Sequence, residues 1–293
     1  MKELALISGK GGTGKTVISA AFAALAQKKI LVDCDVDAAN LYLLLHPQIQ
    51  EEHYFIGGKK ARVDLEACTG CGMCLEVCRF SAIFDKMDRK VRVDPISCEG
   101  CGVCSFVCPV GAIQMENTIS GKWFVSSTKY GPFVHARLGI GEGNSGKLVT
   151  ELRKKAREIA EREALELVII DGPPGIGCPV IASLSGADLV LVVTEPTLSG
   201  IHDMERVISV TRHFRAQPAC CINKFDLNHR MTGQIEEWCE KNSVPLVGKI
   251  PFSESVIQSL VQGIPATEFS ENSATEEIKR MWQTLSSLLT EEG

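Results

Sequence analysis

The sequence predicts an α/β fold: a doubly wound, mostly parallel sheet into which a small α+β domain is inserted. Short apolar runs alternate with segments of helical length on both sides of a central interruption, which is the pattern of parallel strands joined by helices. The interruption contains a four-cysteine pattern that recurs after 30 residues. A length of 293 residues suits two modest domains, or one large domain with an insertion.

Composition narrows the functional classes. Hydrophobic residues make up 45% of the chain, enough for a sizeable core, and the net charge of −5 argues against a general nucleic-acid binder. No apolar run reaches the roughly 18 residues of a membrane span, and a strand begins directly after Met1 and Lys2. We therefore expect a cytoplasmic protein without membrane insertion. In a reducing compartment, its 13 cysteines favour metal binding over disulfides.

The first predicted strand, residues 4–7, runs into a glycine-rich loop that opens a helical segment at residues 17–27. The loop fits the pattern G-x-x-x-x-G-K-[ST] and consists of Gly9, Lys10, Gly11, Gly12, Thr13, Gly14, Lys15 and Thr16. Its backbone N–H groups and the helix N-terminus can bind phosphates, Lys15 can reach the β- and γ-phosphates, and Thr16 can bind Mg²⁺. The loop predicts a nucleoside triphosphate site; the alternative is a glycine turn that binds no ligand.

The second predicted strand, residues 29–33, ends in a group of carboxylates: Asp33, Asp35 and Asp37. Carboxylates at the C-terminal end of a strand beside such a loop lie where ligands bind in open α/β sheets. Asp33 and Asp37 have an alternative interpretation as capping or turn residues. A short apolar helix, residues 41–45, follows.

The insert carries the spacing C-x₂-C-x₂-C-x₃-C twice, which is the spacing of bacterial two-cluster ferredoxins. Three cysteines of one copy bind one [4Fe–4S] cube, and the fourth cysteine binds the other. One cluster is therefore expected on Cys68, Cys71, Cys74 and Cys108, and the other on Cys98, Cys101, Cys104 and Cys78. Two zinc sites are the alternative, although zinc sites generally pair C-x₂-C with a distant second pair.

The first copy departs from the ferredoxin pattern at one position. Arg79 follows Cys78 where the pattern has proline, which leaves the ligands intact but changes the surroundings of the cluster that shares Cys78. Gly57 and Gly58 predict a connecting turn ahead of the insert. We expect an ATPase domain in two parts, residues 1–60 and 119–293, with the ferredoxin domain at residues 61–118.

The α/β pattern resumes after the insert. Predicted helices lie at residues 144–163, 200–214 and 274–289, with another ending at residue 242; predicted strands lie at residues 167–170, 188–194, 219–222 and 246–250. The strand at 167–170 leads to Asp171 and, four residues later, Gly175. Gly141, Gly143 and Gly146 match G-x-G-x-x-G, but without the strand and the ribose-binding carboxylate that a dinucleotide site needs, so we expect a flexible loop.

The loop K-G-G-T-G-K-T, with its early Lys10, resembles the deviant Walker A motif of the MinD/ParA superfamily, which includes the nitrogenase iron protein and the Mrp-type assembly ATPases. The resemblance implies ATP and ADP as ligands and a homodimer, or a heterodimer with a paralogue. In that family the early lysine reaches the partner's nucleotide. A solvated loop lysine is the alternative for Lys10.

The resemblance also assigns roles beyond the loop. It implies that Asp35 orients the attacking water, that Asp171 lies beside Mg²⁺ and that Gly175 lies near the γ-phosphate. It further implies that Asn223 hydrogen-bonds the adenine and that Pro251 belongs to a loop flanking the base. A turn-forming residue is the alternative for Asn223.

Three functions fit the combination of motifs. The first is an electron carrier gated by ATP, resembling the nitrogenase iron protein, with a redox partner protein. The second is an assembly ATPase for iron–sulfur or other metal cofactors, although the C-P-x-C motif of that branch is absent. The third is a spatial organiser resembling MinD, which the negative charge and the acidic end of the sequence disfavour. We rank them in this order.

Cys178 lies seven residues after Asp171, the spacing of a cluster-ligating cysteine in the nitrogenase iron protein. The second ligand of that family has no counterpart at residues 141–143, so we expect an inert thiol. The other cysteines outside the insert are expected to pack as small hydrophobic side chains, and the six histidines to be structural or on the surface.

Overall fold

The computed structural model describes residues 1–85, 90–139 and 142–290. The chain divides into two compact units. The first comprises Met1–His53, Trp123–Arg137 and Ser145–Gly293, and the second comprises Tyr54–Lys122 and Leu138–Asn144. No helix among the described residues is both long enough and apolar enough to cross a membrane.

Strands and helices alternate over residues 2–33 and over residues 145–250, as the sequence predicts. The strands are β1 (Lys2–Ser8), β2 (Lys29–Asp33), β3 (Gln48–Val63), β4 (Ile83–Asp85), β5 (Val91–Val93), β6 (Ile113–Thr128), β7 (Gly131–Leu138), β8 (Leu167–Pro174), β9 (Leu189–Thr194), β10 (Gln217–Asn223) and β11 (Leu246–Ile250). The helices are α1 (Lys15–Leu25), α2 (Tyr42–Leu45), α3 (Met73–Val77), α4 (Val103–Val107), α5 (Ser145–Arg162), α6 (Cys178–Leu184), α7 (Leu198–His213), α8 (His229–Lys241), α9 (Glu254–Gln262), α10 (Ala266–Phe269) and α11 (Ser273–Thr290).

Within the described residues, the large sheet has nine strands in the order β11-β10-β9-β1-β8-β2-β7-β6-β3. Strand β1 pairs in parallel with β8 and β9, and the pairs β9–β10, β10–β11, β2–β8 and β2–β7 are also parallel. Strands β2 and β9 are buried at every position, as expected of parallel strands covered on both faces. The prediction of an α/β fold with a mostly parallel sheet is confirmed.

A buried ion-pair network joins β1 to α5 inside the first unit. The carboxylate of Glu3 accepts hydrogen bonds from Arg153 and Arg157, and the exposed fractions of Glu3 and Arg153 are both 4%. Arg153 also donates to the carbonyl oxygens of Ala182 and Ser185, at 2.6 and 2.7 Å. The two arginines hold the pKa of Glu3 below its usual value although burial opposes this shift.

The predicted turn at Gly57 and Gly58 is wrong, because both residues lie inside strand β3. Gly57 is buried, and a Cβ atom at this position would lie 2.6 Å from Oγ of Ser120 on the neighbouring strand β6. The glycine therefore permits a close approach of two strands instead of a turn. Strands β6 and β7 were also not predicted, because their register depends on pairing partners distant in sequence.

The second unit contains an internal repeat in its backbone as well as in its sequence. Helices α3 and α4 occupy equivalent positions, each preceded by a glycine with positive φ, Gly72 and Gly102. The Asp64 N–H donates to the Ala112 carbonyl at 2.8 Å, and its counterpart Asp94 donates to Ala82 at 2.7 Å. The start of each copy is thus hydrogen-bonded to the end of the other copy. In this sense the two copies exchange their ends.

Candidate functional site

The glycine-rich loop between β1 and α1 has the backbone that its sequence requires. Gly12 and Gly14 have φ angles of 83° and 88°, in the left-handed region that favours glycine. A Cβ atom on Gly14 would lie 2.3 Å from Nδ2 of Asn223, and one on Gly9 would lie 2.2 Å from Cβ of Asp203. Two of the loop glycines are therefore packed against neighbouring elements and leave no room for a side chain.

Lys15 and Asp171 form a buried ion pair at the base of the loop. Lys15 Nζ lies 2.9 Å from Asp171 Oδ1, which also accepts a hydrogen bond from the Ser19 hydroxyl at 2.8 Å. The second oxygen of Asp171, Oδ2, is buried and has no hydrogen-bond partner among the described residues. Thr16 follows Lys15 in α1 and is half-buried. The Asp171 carboxylate therefore retains one free acceptor beside the phosphate-binding loop.

Two further carboxylates meet at this end of the sheet. Asp33 is paired directly with Asp171 across strands β2 and β8, and its oxygens accept hydrogen bonds from the N–H groups of Asp35 and Leu41. Burial, reinforced by repulsion from Asp171, raises the pKa of Asp33 well above its usual value. Burial also raises the pKa of Asp35. The structure thus brings the predicted Asp35 and Asp171 into one electrostatically coupled group.

The same carboxylates act on Lys15. Burial opposes the charge of Lys15, but attraction to Asp171, Asp35 and Asp33 outweighs it and raises the pKa of Lys15 above its usual value. Lys15 therefore stays protonated, as binding to phosphate requires.

Gly175 lies at the end of β8 next to the loop. Its N–H donates to the Ser8 carbonyl at 2.8 Å, and its φ angle of 93° again favours glycine. The Ser8 hydroxyl in turn donates to the Lys10 carbonyl at 2.8 Å. This chain of hydrogen bonds connects the segment after Asp171 to the start of the phosphate-binding loop.

Lys10 is held by residues that follow strand β9. Its Nζ lies 3.5 Å from Oε2 of Glu195 and donates to the hydroxyls of Thr197 and Ser199 at 3.3 and 3.4 Å. Glu195 also pairs through Oε1 with Lys224, whose Nζ lies 3.4 Å from the Gly12 carbonyl. Glu195 thus bridges Lys10, which lies in the loop, and Lys224, which follows strand β10.

An apolar groove adjoins the loop. The predicted residues Gly12, Gly14, Asn223 and Pro251 all line it, together with Phe252 and side chains of α9. Asn223 Nδ2 donates to the Thr13 carbonyl at 2.8 Å, and its Oδ1 accepts from the N–H of Lys224 at 3.0 Å. Asn223 therefore fixes the loop and the groove relative to each other.

The second unit has two pockets lined by cysteines. One is lined by Cys78, Cys98, Cys101 and Cys104, and the other by Cys68, Cys71, Cys74 and Cys108. These are the two four-cysteine sets expected from the sequence, each with one member from the other copy of the repeat. Burial raises the pKa of the Cys74 and Cys104 thiols. The N–H of Ala112 donates to Cys108 Sγ at 3.3 Å.

The remaining predicted features lie elsewhere. Cys178 is exposed at the start of α6, and Gly146 packs against it, since a Cβ atom on Gly146 would lie 3.2 Å from Cβ of Cys178. Cys34, Cys220, Cys221 and Cys239 are buried. The predicted loop around Gly143 lies partly outside the described residues, because Gly141 is not among them.

Sequence reasoning gave no role to Ser19, Glu195 or Lys224, although all three contact the loop or its ion pair. Glu195 and Lys224 directly follow strands β9 and β10, and the strands predicted there end at residues 194 and 222. Their position at the carboxyl ends of parallel strands is the signal that could have identified them. Ser19 lies one turn after Lys15 on α1, so its helical spacing places it beside the same carboxylate.

The sequence matches the family described as CobQ/CobB/MinD/ParA nucleotide binding domain over residues 4–266. The uncharacterized protein MJ0578 of Methanocaldococcus jannaschii is 38% identical over 231 residues, covering 78% of this chain and 79% of that protein. The septum site-determining protein MinD of Bacillus subtilis is 23% identical over 284 residues, covering 94% and 85%.

Solved structures agree in fold. MinD of Pyrococcus horikoshii complexed with Mg-ADP gives a TM-score of 0.59 at 17% identity, covering 99% of this chain and 97% of that one. An ATP complex of McdA from Cyanothece gives 0.58 at 16% identity, covering 100% and 98%. The resemblance found in the sequence is confirmed at the level of the superfamily. The chain belongs to the CobQ/CobB/MinD/ParA nucleotide-binding family and is a P-loop ATPase of the MinD/ParA type.

Proposed function

We propose that this ATPase is an iron–sulfur protein that couples ATP hydrolysis in a dimer to electron transfer through two [4Fe–4S] clusters in its second unit. The observation that carries the proposal is the pair of pockets, each lined by four cysteines drawn from both copies of the repeat. A disulfide framework does not account for this arrangement, since none of the eight cysteines forms a disulfide. Zinc sites generally pair C-x₂-C with a distant second pair instead of this triplet spacing.

The cysteine pockets suit a cubane cluster in their chemistry. Among the described residues, no three or more histidine, cysteine or acidic side chains are close enough to hold one metal ion. A cube binds each thiolate through a different iron atom and so spaces the sulfurs more widely than a single zinc ion does. When bound, such clusters accept and release single electrons. Cys68, Cys71, Cys74 and Cys108 would hold one cluster, and Cys98, Cys101, Cys104 and Cys78 the other.

The exchange of ends within the second unit supports this assignment. The hydrogen bonds from Asp64 to Ala112 and from Asp94 to Ala82 bring the end of each copy beside the start of the other. Cys108 precedes Ala112 by four residues and Cys78 precedes Ala82 by four, so each enters the other copy's pocket. The fourth ligand of each set therefore comes from the other copy of the repeat in the same chain.

For ATP hydrolysis, the loop N–H groups and Lys15 bind the phosphates, while the groove beside Asn223 and Pro251 accepts the base. Asp35 orients the attacking water. Thr16 and Asp171 would hold Mg²⁺, which neutralises phosphate charge when bound. The free acceptor Oδ2 of Asp171 fits this role. Lys15, now paired with Asp171, is released to the phosphates when the nucleotide enters.

Lys10 is the residue through which a second protomer would take part in ATP hydrolysis. Its side chain is partly exposed, and its ammonium group is held by Glu195, Thr197 and Ser199. In that position its ammonium group is available to a second protomer, either an identical chain or a paralogue. A cation supplied by the partner would stabilise the charge that develops on the phosphates.

A second candidate is a spatial organiser, because MinD of Bacillus subtilis matches over 94% of this chain. That role uses the same ATPase site but gives no purpose to the eight cysteines of the second unit. A third candidate, a cofactor-assembly ATPase, uses the clusters as cargo. The three differ in what nucleotide turnover changes: an electron transferred, a cluster transferred, or a position in the cell.

The decisive experiment uses protein purified without oxygen and reduced chemically. Oxidation of the clusters that depends on ATP and on an added electron acceptor supports the electron carrier. Transfer of iron and sulfide to an apo-acceptor supports assembly instead. If the anaerobically purified protein hydrolyses ATP but contains no iron, the electron-carrier and assembly functions are both rejected. The spatial organiser is then the remaining candidate.

A further inference from the structure

The two copies in the second unit differ in their exposed side chains. Ile96 and Phe106 are 75% and 91% exposed. Their counterparts 30 residues earlier, Glu66 and Glu76, are exposed as well. The two copies otherwise share their sequence of buried and exposed positions from residues 98–113 and 68–83. The second copy thus presents large apolar side chains where the first presents carboxylates.

Exposed apolar side chains from both copies line one cysteine pocket and the pocket beside it. Phe80 and Val103, 44% and 43% exposed, line the pocket of Cys78, Cys98, Cys101 and Cys104. Phe106 follows Val103 by one helical step of three residues on α4, which places both on one side of the helix. Ile96 lines an adjoining pocket that shares Cys98, Glu99 and Gly100 with the first. We call Phe80, Ile96, Val103 and Phe106 the Phe106 face.

Folding does not require the apolar side chains of Ile96 and Phe106. Glutamates occupy the two equivalent positions in the first copy, Glu66 and Glu76, which are exposed as well. A phenylalanine that is 91% exposed contributes little to the core and adds apolar surface that water must solvate. Large exposed apolar side chains that lie close to one another are a feature of interaction sites. We therefore expect a partner protein to cover the Phe106 face.

The charged residues beside this face indicate which sign of charge the surface of that partner should carry. Arg79 is exposed between Cys78 and Phe80, which both line the cysteine pocket, and Lys59 lines the adjoining pocket with Ile96. Among the described residues that line these two pockets, two are acidic, Glu99 and Glu142. The charge of Glu142 is paired with that of Lys60, which leaves Glu99. By the 30-residue offset of the repeat, Glu66, Glu76 and Pro109 correspond to Ile96, Phe106 and Arg79.

We propose that the Phe106 face docks an acidic electron-transfer protein, one that presents an apolar patch ringed by carboxylates. The proposal rests on the proposed function, since it assigns the partner's side of the same redox role. It also explains Arg79, the one departure of the first copy from the ferredoxin pattern: the arginine that replaces proline adds positive charge at the rim of the docking face. Complementary charge would steer the encounter, and the apolar centre would hold the complex.

The test is a binding measurement on the full anaerobic protein, with an acidic plant-type [2Fe–2S] ferredoxin as the probe and a basic c-type cytochrome as the opposite-charge probe. The variants Phe106→Glu, Ile96→Glu and Arg79→Pro each introduce the residue that the other copy of the repeat carries at the equivalent position. Glu76→Gln, in the first copy, is the matched control. Iron content and ATP hydrolysis, measured on every variant, report whether the second unit and the ATPase are intact.

We expect the acidic probe to bind more tightly than the basic one at low salt. Phe106→Glu should raise its Kd about tenfold or more, as expected of a central aromatic contact. Arg79→Pro should raise it about two- to fivefold at low salt and less at high salt. An unchanged Kd in Phe106→Glu, or preference for the basic probe, overturns the docking proposal. Loss of iron from the wild-type protein would instead overturn the proposed function, so the two failures are distinguishable.

Discussion

Lys15 Nζ lies 2.9 Å from Asp171 Oδ1, and the exposed fractions of the two side chains are only 6% and 1%. This ion pair connects the start of α1 to the end of β8, beneath the loop that we propose binds the phosphates. It pairs two charges that would otherwise be buried alone. The proposed phosphate-binding lysine is therefore also the counter-ion of a buried carboxylate.

Replacing Lys15 by methionine should lower the free energy of unfolding of the nucleotide-free protein by about 3–5 kcal/mol, because it leaves the Asp171 carboxylate buried without its cation. Adding Asp171→Asn should recover part of that loss, since a neutral amide needs no counter-charge. Urea denaturation of the single and double variants measures both effects. Strictly additive losses would show that the two side chains do not interact energetically.

Replacing Lys10 by alanine should preserve ATP binding and lower ATP turnover, because the cation proposed to act across the dimer is lost. An arginine supplied by a partner contributes roughly 10³–10⁵-fold to phosphoryl transfer, and a loop lysine on a slow ATPase should give less. Lys10→Arg, which keeps the charge, is the control. Wild-type turnover per protomer that stays constant on extensive dilution would contradict a role for the dimer.

Serine substitutions should separate the two proposed clusters. Cys78→Ser and Cys104→Ser should alter the same electron paramagnetic resonance signal, and Cys74→Ser the other, because Cys78 lines the pocket of the second copy. Wild-type protein should contain about eight iron atoms per protomer, the sum for two cubes. Cys178→Ser should retain them all. Iron loss in Cys178→Ser would revive a third cluster, and a shared effect of Cys78→Ser and Cys74→Ser would reject the exchange of ligands.

Chelation of iron should unfold the insert while leaving nucleotide binding largely intact. A segment of this size is close to the limit at which an apolar core alone sustains folding, so its stability should depend on the metal. Limited proteolysis with and without chelator, together with ATP binding, measures both parts. An insert that resists protease equally after iron removal would contradict this dependence.

His135 should make the first unit sensitive to acid. Its ring is buried between Phe124 and Phe133, and burial, aided by Arg137, lowers its pKa from 6.5 to about 4. The unfolded chain therefore binds a proton in this range that the folded protein does not. Stability should be unaffected above pH 6.5 and should fall as the pH drops to about 4, by roughly 3 kcal/mol in total.

The contribution of His135 can be isolated with a variant. His135→Gln retains a partner for the Ser126 hydroxyl, which lies 3.0 Å from His135 Nε2, but removes the titrating group. Its stability, measured by denaturation across the same pH range, should depend less on pH than that of the wild type. The exposed His202→Gln is the control. Equal acid sensitivity in His135→Gln and wild type would assign the effect to other groups.

Local spacing explains what sequence reasoning predicted well. The P-loop pattern specifies backbone turns among adjacent residues, and Gly12 and Gly14 have the positive φ angles that the pattern requires. The parallel strands β2 and β11 were predicted at their observed bounds. For β2, an apolar run ahead of a polar turn segment is sufficient to identify a buried strand. The cysteine spacing likewise specified which four thiols line each pocket.

The sequence by itself therefore determined the superfamily, the α/β class and the composition of the two cysteine sets, since each depends on residues close together in the chain. Only the tertiary structure decided that Gly57 belongs to a strand, because Ser120 on the neighbouring strand fills the space above it. It also decided that Glu195 joins Lys10 to Lys224, and that Asp33 lies opposite Asp171. Those relationships bring together side chains separated by tens to hundreds of residues, and the energy that selects them comes from packing and electrostatics in the folded chain.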